Sequence, residues 1–575
     1  MAHSAAFKPC PLGQGKNMRF EYQSSSKPRA KARGVEGLIF LLLVIICFNA
    51  FFINKAFHID DPFTLNIARA VNKNFVNMPV VFSGNPILLG YYYGPVIKMF
   101  GEKEIWLHIF YLPFTLLVVV SLYLLSCRFI GKNLIPALLL SVTPAFLVIS
   151  QGIMLDIPML AFFLLALYFF ILGIDNQRLG FLFLSGVLAG LAILIKYSAL
   201  MLIPIMLVYG WLFSRKRHYL LYLFIPAIIF LLWPIHNLLF YKQFTFVSAL
   251  LYRIKMYSFE TFLLRVFGCL SFISGTSLVG LLLTPLLLRN KTNRLLFLIS
   301  LPIGLSPFLV KSIFSEYSIL EKFFLTTLFI SSFFMICIIC KAIFRYIFMN
   351  EKDKDNLFLS AWFLLLLVFA VSIQFIAARF ILLLLPPMIL LIYKELQDIR
   401  LTQHLVFKKA VFLVIFISFM ISTLLAIGDY QFAGLYRDFI LRLKNMGIRN
   451  EEFYSCPKAY STYYAWGYAY YLNLYYPYPR GQDNSAKYKF AVFPQEKVLP
   501  IVIEKSCIFY PGQGGADKVI SINTSEYRYR GHIFLHNRSQ RTGFYSHDWG
   551  LLPFKVMFEN STLEEFKVYK LLFKS

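Results

Sequence analysis

The chain has 575 residues, 58% of them hydrophobic and only 15% charged, with a mean hydropathy of +0.65. No soluble fold hides that much apolar surface behind so few charges, so the composition excludes an ordinary set of soluble domains. A formal charge of +27 raises nucleic-acid binding; here the basic residues stand in short clusters between apolar runs, where they set topology and meet anionic headgroups, and no nucleic-acid-binding module accompanies them.

Residues 1–36 form a polar, basic tail, with Lys8, Lys16, Arg19, Lys27, Arg29, Lys31 and Arg33 against Glu21 and Glu36. The first apolar run, 37–53, lacks an A-x-A cleavage site and reads as a retained signal anchor whose basic flank stays in the cytoplasm. A long loop, 54–104, follows on the far side. Further apolar runs fall near 105–126, 133–150, 154–173, 180–195, 198–213, 219–240, 262–288, 295–312, 322–344, 357–376, 380–393 and 410–428. With the first they predict about 13 spans in an all-α polytopic membrane domain over 37–429.

Loop charge checks that count. Alternation places Arg128 and Lys132, Arg178, the run Arg215-Lys216-Arg217, Arg289 with Lys291 and Arg294, the stretch 345–356, and Lys408 with Lys409 on one side, the cytoplasm. An odd number of spans then exports residues 430–575. Alternating stretches such as KYKFAVF and YRYRGHIFLH predict strands there, hence a small mixed α/β extracytoplasmic domain.

The eight cysteines form no staple pattern. Cys47, Cys127, Cys269, Cys337 and Cys340 lie in or beside apolar helices, where cysteine acts as a small hydrophobe, and the Cys337/Cys340 spacing has no polar neighbours to support a metal or redox reading. Cys456 and Cys507 are positioned to pair if the C-terminal region is extracytoplasmic.

Four charged positions stand in apolar surroundings. His58-Ile59-Asp60-Asp61 follows the first span directly; the acids read either as a reactive pair or as a helix start, since Pro62 comes next. Asp156, before Pro158, is either an acid in need of a partner or a helix initiator. Lys196 interrupts a nearly continuous apolar stretch, as a snorkelling lysine or as a phosphate-holding cation. Arg379 divides SIQFIAA from FILLLLPPMILL. Topology assigned without these residues puts Asp60, Asp156, Lys196 and Arg379 on one membrane face. Two acids and two cations there suit an anionic lipid-linked donor and a carboxylate that takes the acceptor's proton.

The order of these features resembles the GT-C superfamily, specifically family 39-like glycosyltransferases, which include protein O-mannosyltransferases and the lipid A aminoarabinose transferase. DDPFTLNIARAV looks like that family's opening of the first extracytoplasmic loop; SQGIMLDIPMLAFFLL, GVLAGLAILIKYSALMLIP and Arg379-Phe380 with LLLLPP are similar to later segments. NPILLGYYYGPVIKMFGEKEIW also fits, except that Asn85 stands where relatives often carry a cation or imidazole, a place Lys98 or Arg69 would fill. No counterpart of the large luminal repeat domain of eukaryotic members is present, which favours a bacterial type.

The resemblance implies a GT-C fold and transfer of a sugar from a polyprenyl-phosphate donor to a glycolipid, glycan or protein acceptor, with inversion. It implies Asp60 and Asp61 as catalytic acids, Lys196, Arg379 and Arg69 at the donor phosphate, and Asp156, His58, Asn85 and Tyr197 as substrate-positioning groups. It requires no cofactor, while the carboxylates leave a divalent metal open. The expected location is a bacterial inner membrane, with membrane lipids as neighbours. A polytopic transporter or flippase, and an assembly subunit with a degenerate site, remain the alternatives. The tyrosine-rich stretch 462–479 either stacks sugars or packs as an aromatic cluster. Asn523, Asn537 and Asn560 stand in glycosylation sequons that matter only in a eukaryote.

Overall fold

The computed structural model describes residues 28–74, 85–242, 258–349, 352–373, 375–399, 405–446, 453–454, 470–471, 474, 490–494 and 519–573. Cys456, Cys507 and most of the tyrosine-rich stretch lie outside them.

The chain is dominated by helices. Helix α1 (Pro28–Phe51) leads into two short helices of the first loop, α2 (Asp61–Lys73) and α3 (Leu88–Phe100). They are followed by α4 (Glu104–Phe129), α5 (Ile135–Ser141), α6 (Pro144–Ile149), α7 (Asp156–Asp175), α8 (Leu179–Ile195), α9 (Leu202–Phe213) and α10 (Phe224–Tyr241). The second half contains α11 (Phe259–Ser277), α12 (Val279–Leu287), α13 (Lys291–Gly304), α14 (Ser306–Leu309), α15 (Lys311–Phe314), α16 (Ile319–Phe348), α17 (Lys354–Ser372), α18 (Ala378–Ile381), α19 (Leu385–Asp398) and α20 (Leu405–Asn445).

Among the described residues, eight helical stretches are long and apolar enough to cross a membrane, and Val35–Phe51, Leu179–Ile195 and Tyr197–Phe213 are shorter apolar helices. Several runs counted as spans from hydropathy alone are interrupted, and two of them break at prolines. The 133–150 run breaks at Thr143, whose side chain accepts from Phe146 N (3.3 Å) while Pro144 removes a helical donor. The 380–393 run is split into α18 and the short α19, which starts at Leu385 with prolines in its first turn. Hydropathy sees neither break because every residue involved is apolar or nearly so.

The C-terminal region carries the strands β1 (Phe453–Tyr454), β2 (Phe490–Pro494), β3 (Val519–Phe534), β4 (His536–Asn537), β5 (Thr542–Gly543) and β6 (Lys555–Phe573). β1, β2, β6 and β3 form one sheet in that order, with β1 and β2 parallel and the other neighbours antiparallel. Strands thus occupy FAVF (490–493) of the first predicted stretch and all but one residue of the second, YRYRGHIFLH. α20 continues to Asn445, well past the end of the apolar run, and packs against β3.

One end of the helical bundle is tied to this region. The segment after β5 hydrogen-bonds along the turn before α18: Ala378 N donates to Phe544 O (2.8 Å), His547 N to Ile376 O (2.8 Å), and Ile376 N to His547 Nδ1 (3.0 Å). At the start of α16, Glu321 completes a capping box with Ser318 and accepts from Arg541 (2.9 Å) and Lys555 (2.8 Å). Within the first loop, α2 lies so close to α3 that a Cβ at Gly90 would fall 2.3 Å from the Ile67 side chain, so this contact requires glycine.

Candidate active site

Four segments that are far apart in sequence converge where α1 ends and α7 begins. The first is the turn 55–61. Its Ile59 has φ +51, a left-handed conformation that a β-branched residue adopts only when its surroundings impose it. The neighbours do so here. Asp61 accepts from His58 N (3.2 Å) and from Ile153 N (2.9 Å), and the His58 ring meets Asp429 Oδ1 through Nε2 (3.1 Å).

The two adjacent acids therefore face different fates. Asp61 is fully buried, with both oxygens bonded to backbone N–H groups of its own turn and of the turn before α7. That second turn comes close because residue 152 is glycine; a Cβ there would lie 3.0 Å from Asp61 Oδ1. Asp60 keeps its side chain 45% exposed and accepts an ion pair from Arg379 Nη1 on α18.

A second ion pair stands beside the first. Lys196, in the tight turn after α8, donates to Asp156 Oδ1 at the start of α7 (2.6 Å), and both side chains are buried. Phe380 joins the pairs, because its ring centroid lies 4.7 Å from Lys196 Nζ and 5.4 Å from the Arg379 guanidinium carbon. All four charges are thus linked at one end of the bundle. The opposite end of α7 is Asp175; its 20 residues rise about 30 Å, the thickness of a bilayer's apolar core.

Behind this site lies a buried hub of which the sequence had singled out only His58. Lys55 forms an ion pair with Asp429 of α20, and Tyr545 donates to the same carboxylate (2.9 Å). With His58 Nε2 on its other oxygen, Asp429 joins the first loop, the last long helix and the C-terminal region. Burial alone would lower the His58 pKa; the Asp429 carboxylate outweighs it, and the pKa lies above the usual value. His536, stacked on Trp549 with ring centroids 3.8 Å apart, is held neutral; burial, with His58 and Arg379 nearby, pushes its pKa down to about 3. An acid at the end of an apolar run, as in LLAIGDY, was the available signal for Asp429.

The remaining predicted positions lie on the first loop and in the turn that carries Lys196. The Arg69 guanidinium is committed to Glu102, with Nε 2.6 Å from Oε1, donates to Asn66 Oδ1 (3.2 Å) and lies over the Tyr470 ring at 4.9 Å. Tyr470 and Tyr471 are buried on the first loop: Tyr470 OH donates to Glu102 (3.1 Å), and Tyr471 OH accepts from Phe57 N (2.8 Å) and donates to Glu104 (2.7 Å). Tyr197 accepts from Trp233 Nε1 (2.9 Å), which fixes the turn carrying Lys196. Asn85 is half-buried before α3, and Lys98 lies in the last turn of that helix. Among the described residues no group of three or more His, Cys, Asp or Glu is placed to hold a metal ion.

Residues 84–233 match the model of the family described as dolichyl-phosphate-mannose-protein mannosyltransferase. No curated protein sequence matches the chain. Two crystal structures of ArnT from Cupriavidus metallidurans are similar to it. The one bound to undecaprenyl phosphate has a TM-score of 0.37 and 16% identity, over 63% of this chain and 59% of that one. The one in the apo state has a TM-score of 0.33 and 14% identity, over 64% of this chain and 78% of that one. The chain therefore spans 59% of the length of the lipid-bound ArnT structure. From helix composition this is a multi-pass membrane protein, and its residues 84–233 are similar to the dolichyl-phosphate-mannose-protein mannosyltransferase family, the kind of family its motifs resemble.

Proposed function

We propose that the chain is a membrane glycosyltransferase that moves a sugar from a polyprenyl-phosphate donor to an acceptor hydroxyl or phosphate at the membrane surface, with inversion. The observation that carries this reading is the convergence of Asp60–Arg379 and Asp156–Lys196 around Phe380 at one end of the bundle. The family match over 84–233 supports it, because that family's donor by name is a sugar on a lipid phosphate.

In this reaction Asp60 is the general base, the half-exposed carboxylate of the site. It takes the acceptor's proton as the acceptor oxygen bonds to the anomeric carbon. The bond from that carbon to the donor phosphate breaks on the opposite side, and the lipid phosphate leaves with the electron pair. Phosphate is a good leaving group, so it needs charge stabilisation more than a proton. Lys196 supplies one cation; Asp156 takes one of its three donors and aims the rest. Arg379 supplies the second. Asp61 holds the turn that presents Asp60, and Arg69, already bound by Glu102, braces the first loop. The reaction requires no cofactor beyond the donor. The proposed setting is a bacterial inner membrane, with the N-terminus cytoplasmic and the C-terminal region periplasmic.

The acceptor and sugar are identified by mass spectrometry of glycolipids and secreted proteins from cells with and without the gene. A single glycan mass increment that disappears with the gene is the expected result. Identical glycolipid and protein profiles in the two strains would overturn the transferase reading.

A further inference from the structure

Gln151 lies in the turn between α6 and α7, next to Gly152 and Ile153, which contact Asp61, and five residues before Asp156. It is 1% exposed. Among the described residues neither its Nε2 nor its Oε1 has a hydrogen-bond partner. Single atoms such as Thr115 Oγ1, Ser121 Oγ and Trp362 Nε1 are also without partners among the described residues; burying a whole carboxamide with neither its donor nor its acceptor paired is more expensive than one such atom. Around the same site Arg379 Nε and Ser198 Oγ, two residues after Lys196, are likewise buried without partners among the described residues.

A ligand that satisfies Gln151 must both donate and accept. A phosphate only accepts, and an isoprenoid chain does neither. Adjacent hydroxyls on a sugar ring do both, and the turn that carries Gln151 runs from the Asp61 contacts at Gly152 and Ile153 to Asp156 of the proposed site. We propose that Gln151 reads the donor's sugar, its carboxamide bonding ring hydroxyls while Arg379 and Lys196 hold the phosphate. This rests on the transferase reading, and makes Gln151 a specificity residue of that site.

The test compares three probes on the purified full-length chain: undecaprenyl phosphate, undecaprenyl-phosphate mannose and undecaprenyl-phosphate aminoarabinose. In Gln151→Leu, apolar and of similar size, the melting temperature should hold or rise, since an unpaired polar group is removed. The variant should bind undecaprenyl phosphate as wild type does, yet bind the better sugar-bearing probe about tenfold or more weakly than wild type. Gln151→Met provides the same comparison if leucine prevents folding. Unchanged binding of all three probes overturns the proposal, as does equal loss for all three or a wild type that gains nothing from either sugar. A wild-type chain that binds no probe overturns the transferase reading and the proposal with it.

Discussion

Both ends of the helical bundle bury ions, but they treat them differently. At the end remote from the site, Lys341 donates to Glu395 (2.6 Å) and to Asn293 (2.9 Å), while the Asn293 amide donates to Glu395 (3.0 Å) and to Leu287 O (3.1 Å). Nearby, Arg128 is shared among Asp175 (2.5 Å), Asp355 (3.4 Å) and Tyr209 (3.2 Å). These side chains satisfy one another and pin helix ends. At the other end the charges are also paired, yet Asp60 stays half-exposed and the Arg379 Nε and Gln151 amide have no partner among the described residues. Ions that saturate one another hold a fold together; ions left with spare donors and acceptors beside a charged surface mark a binding site.

The comparison breaks first at the hub. Asp429→Ala leaves Lys55 and His58 buried against no carboxylate, and loss of one member of a buried pair costs about 3–5 kcal/mol. A melt of the purified chain should show the largest drop of any single change discussed here. A variant that melts with wild type would detach the hub from the fold.

Glu395→Ala tests the remote end. It should destabilise by about 3 kcal/mol for the same reason, while the donor KM of the folded fraction stays at the wild-type value. Lys196→Ala leaves Asp156 buried without its partner and should destabilise too, but in the folded fraction it should raise donor KM about 30-fold, for loss of roughly 2 kcal/mol of charge-assisted contact. Donor kinetics with both variants decide the matter. An unchanged KM in Lys196→Ala would place that lysine with the staples.

The smallest effect concerns pH. His536 has a folded pKa of about 3, below the ordinary 6.5, so the folded state binds fewer protons there than the unfolded state. Its contribution to stability is complete above pH 6.5 and is lost as pH falls toward 3. His58 has the opposite sign: raised above 6.5, it contributes below that value and is lost as pH rises through its folded pKa. Exchange protection factors over residues 535–549, each rate normalised to the intrinsic rate at its pH, should therefore fall between pH 7.5 and pH 5, and His536→Phe should flatten that response. A segment whose protection is the same at both pH values contradicts the neutral, buried imidazole.

Much of this was legible in the sequence for a physical reason. Asp60, Asp156, Lys196 and Arg379 are charges set in apolar context, where each needs a partner or water, and topology alone put them on one face. What remained hidden was pairing. That Asp156 holds Lys196 was one of two roles open to that acid, but nothing local shows that Lys55 meets Asp429 across 374 positions of chain. Gln151 escaped because it is uncharged and stands in a turn, where an exposed glutamine would be unremarkable. The left-handed Leu278 that separates α11 from α12 escaped too, since hydropathy does not sense backbone conformation.

The most direct measurement is sugar transfer by purified Asp60→Asn. Asparagine keeps the size of the side chain and a weaker hydrogen bond to Arg379, so the melting temperature and donor binding should stay near wild type. Removing the proton acceptor should lower the transfer rate by about 10²–10⁴-fold. Transfer at the wild-type rate in that variant would contradict Asp60 as the base and, with it, the place of the chemistry proposed for this end of the bundle.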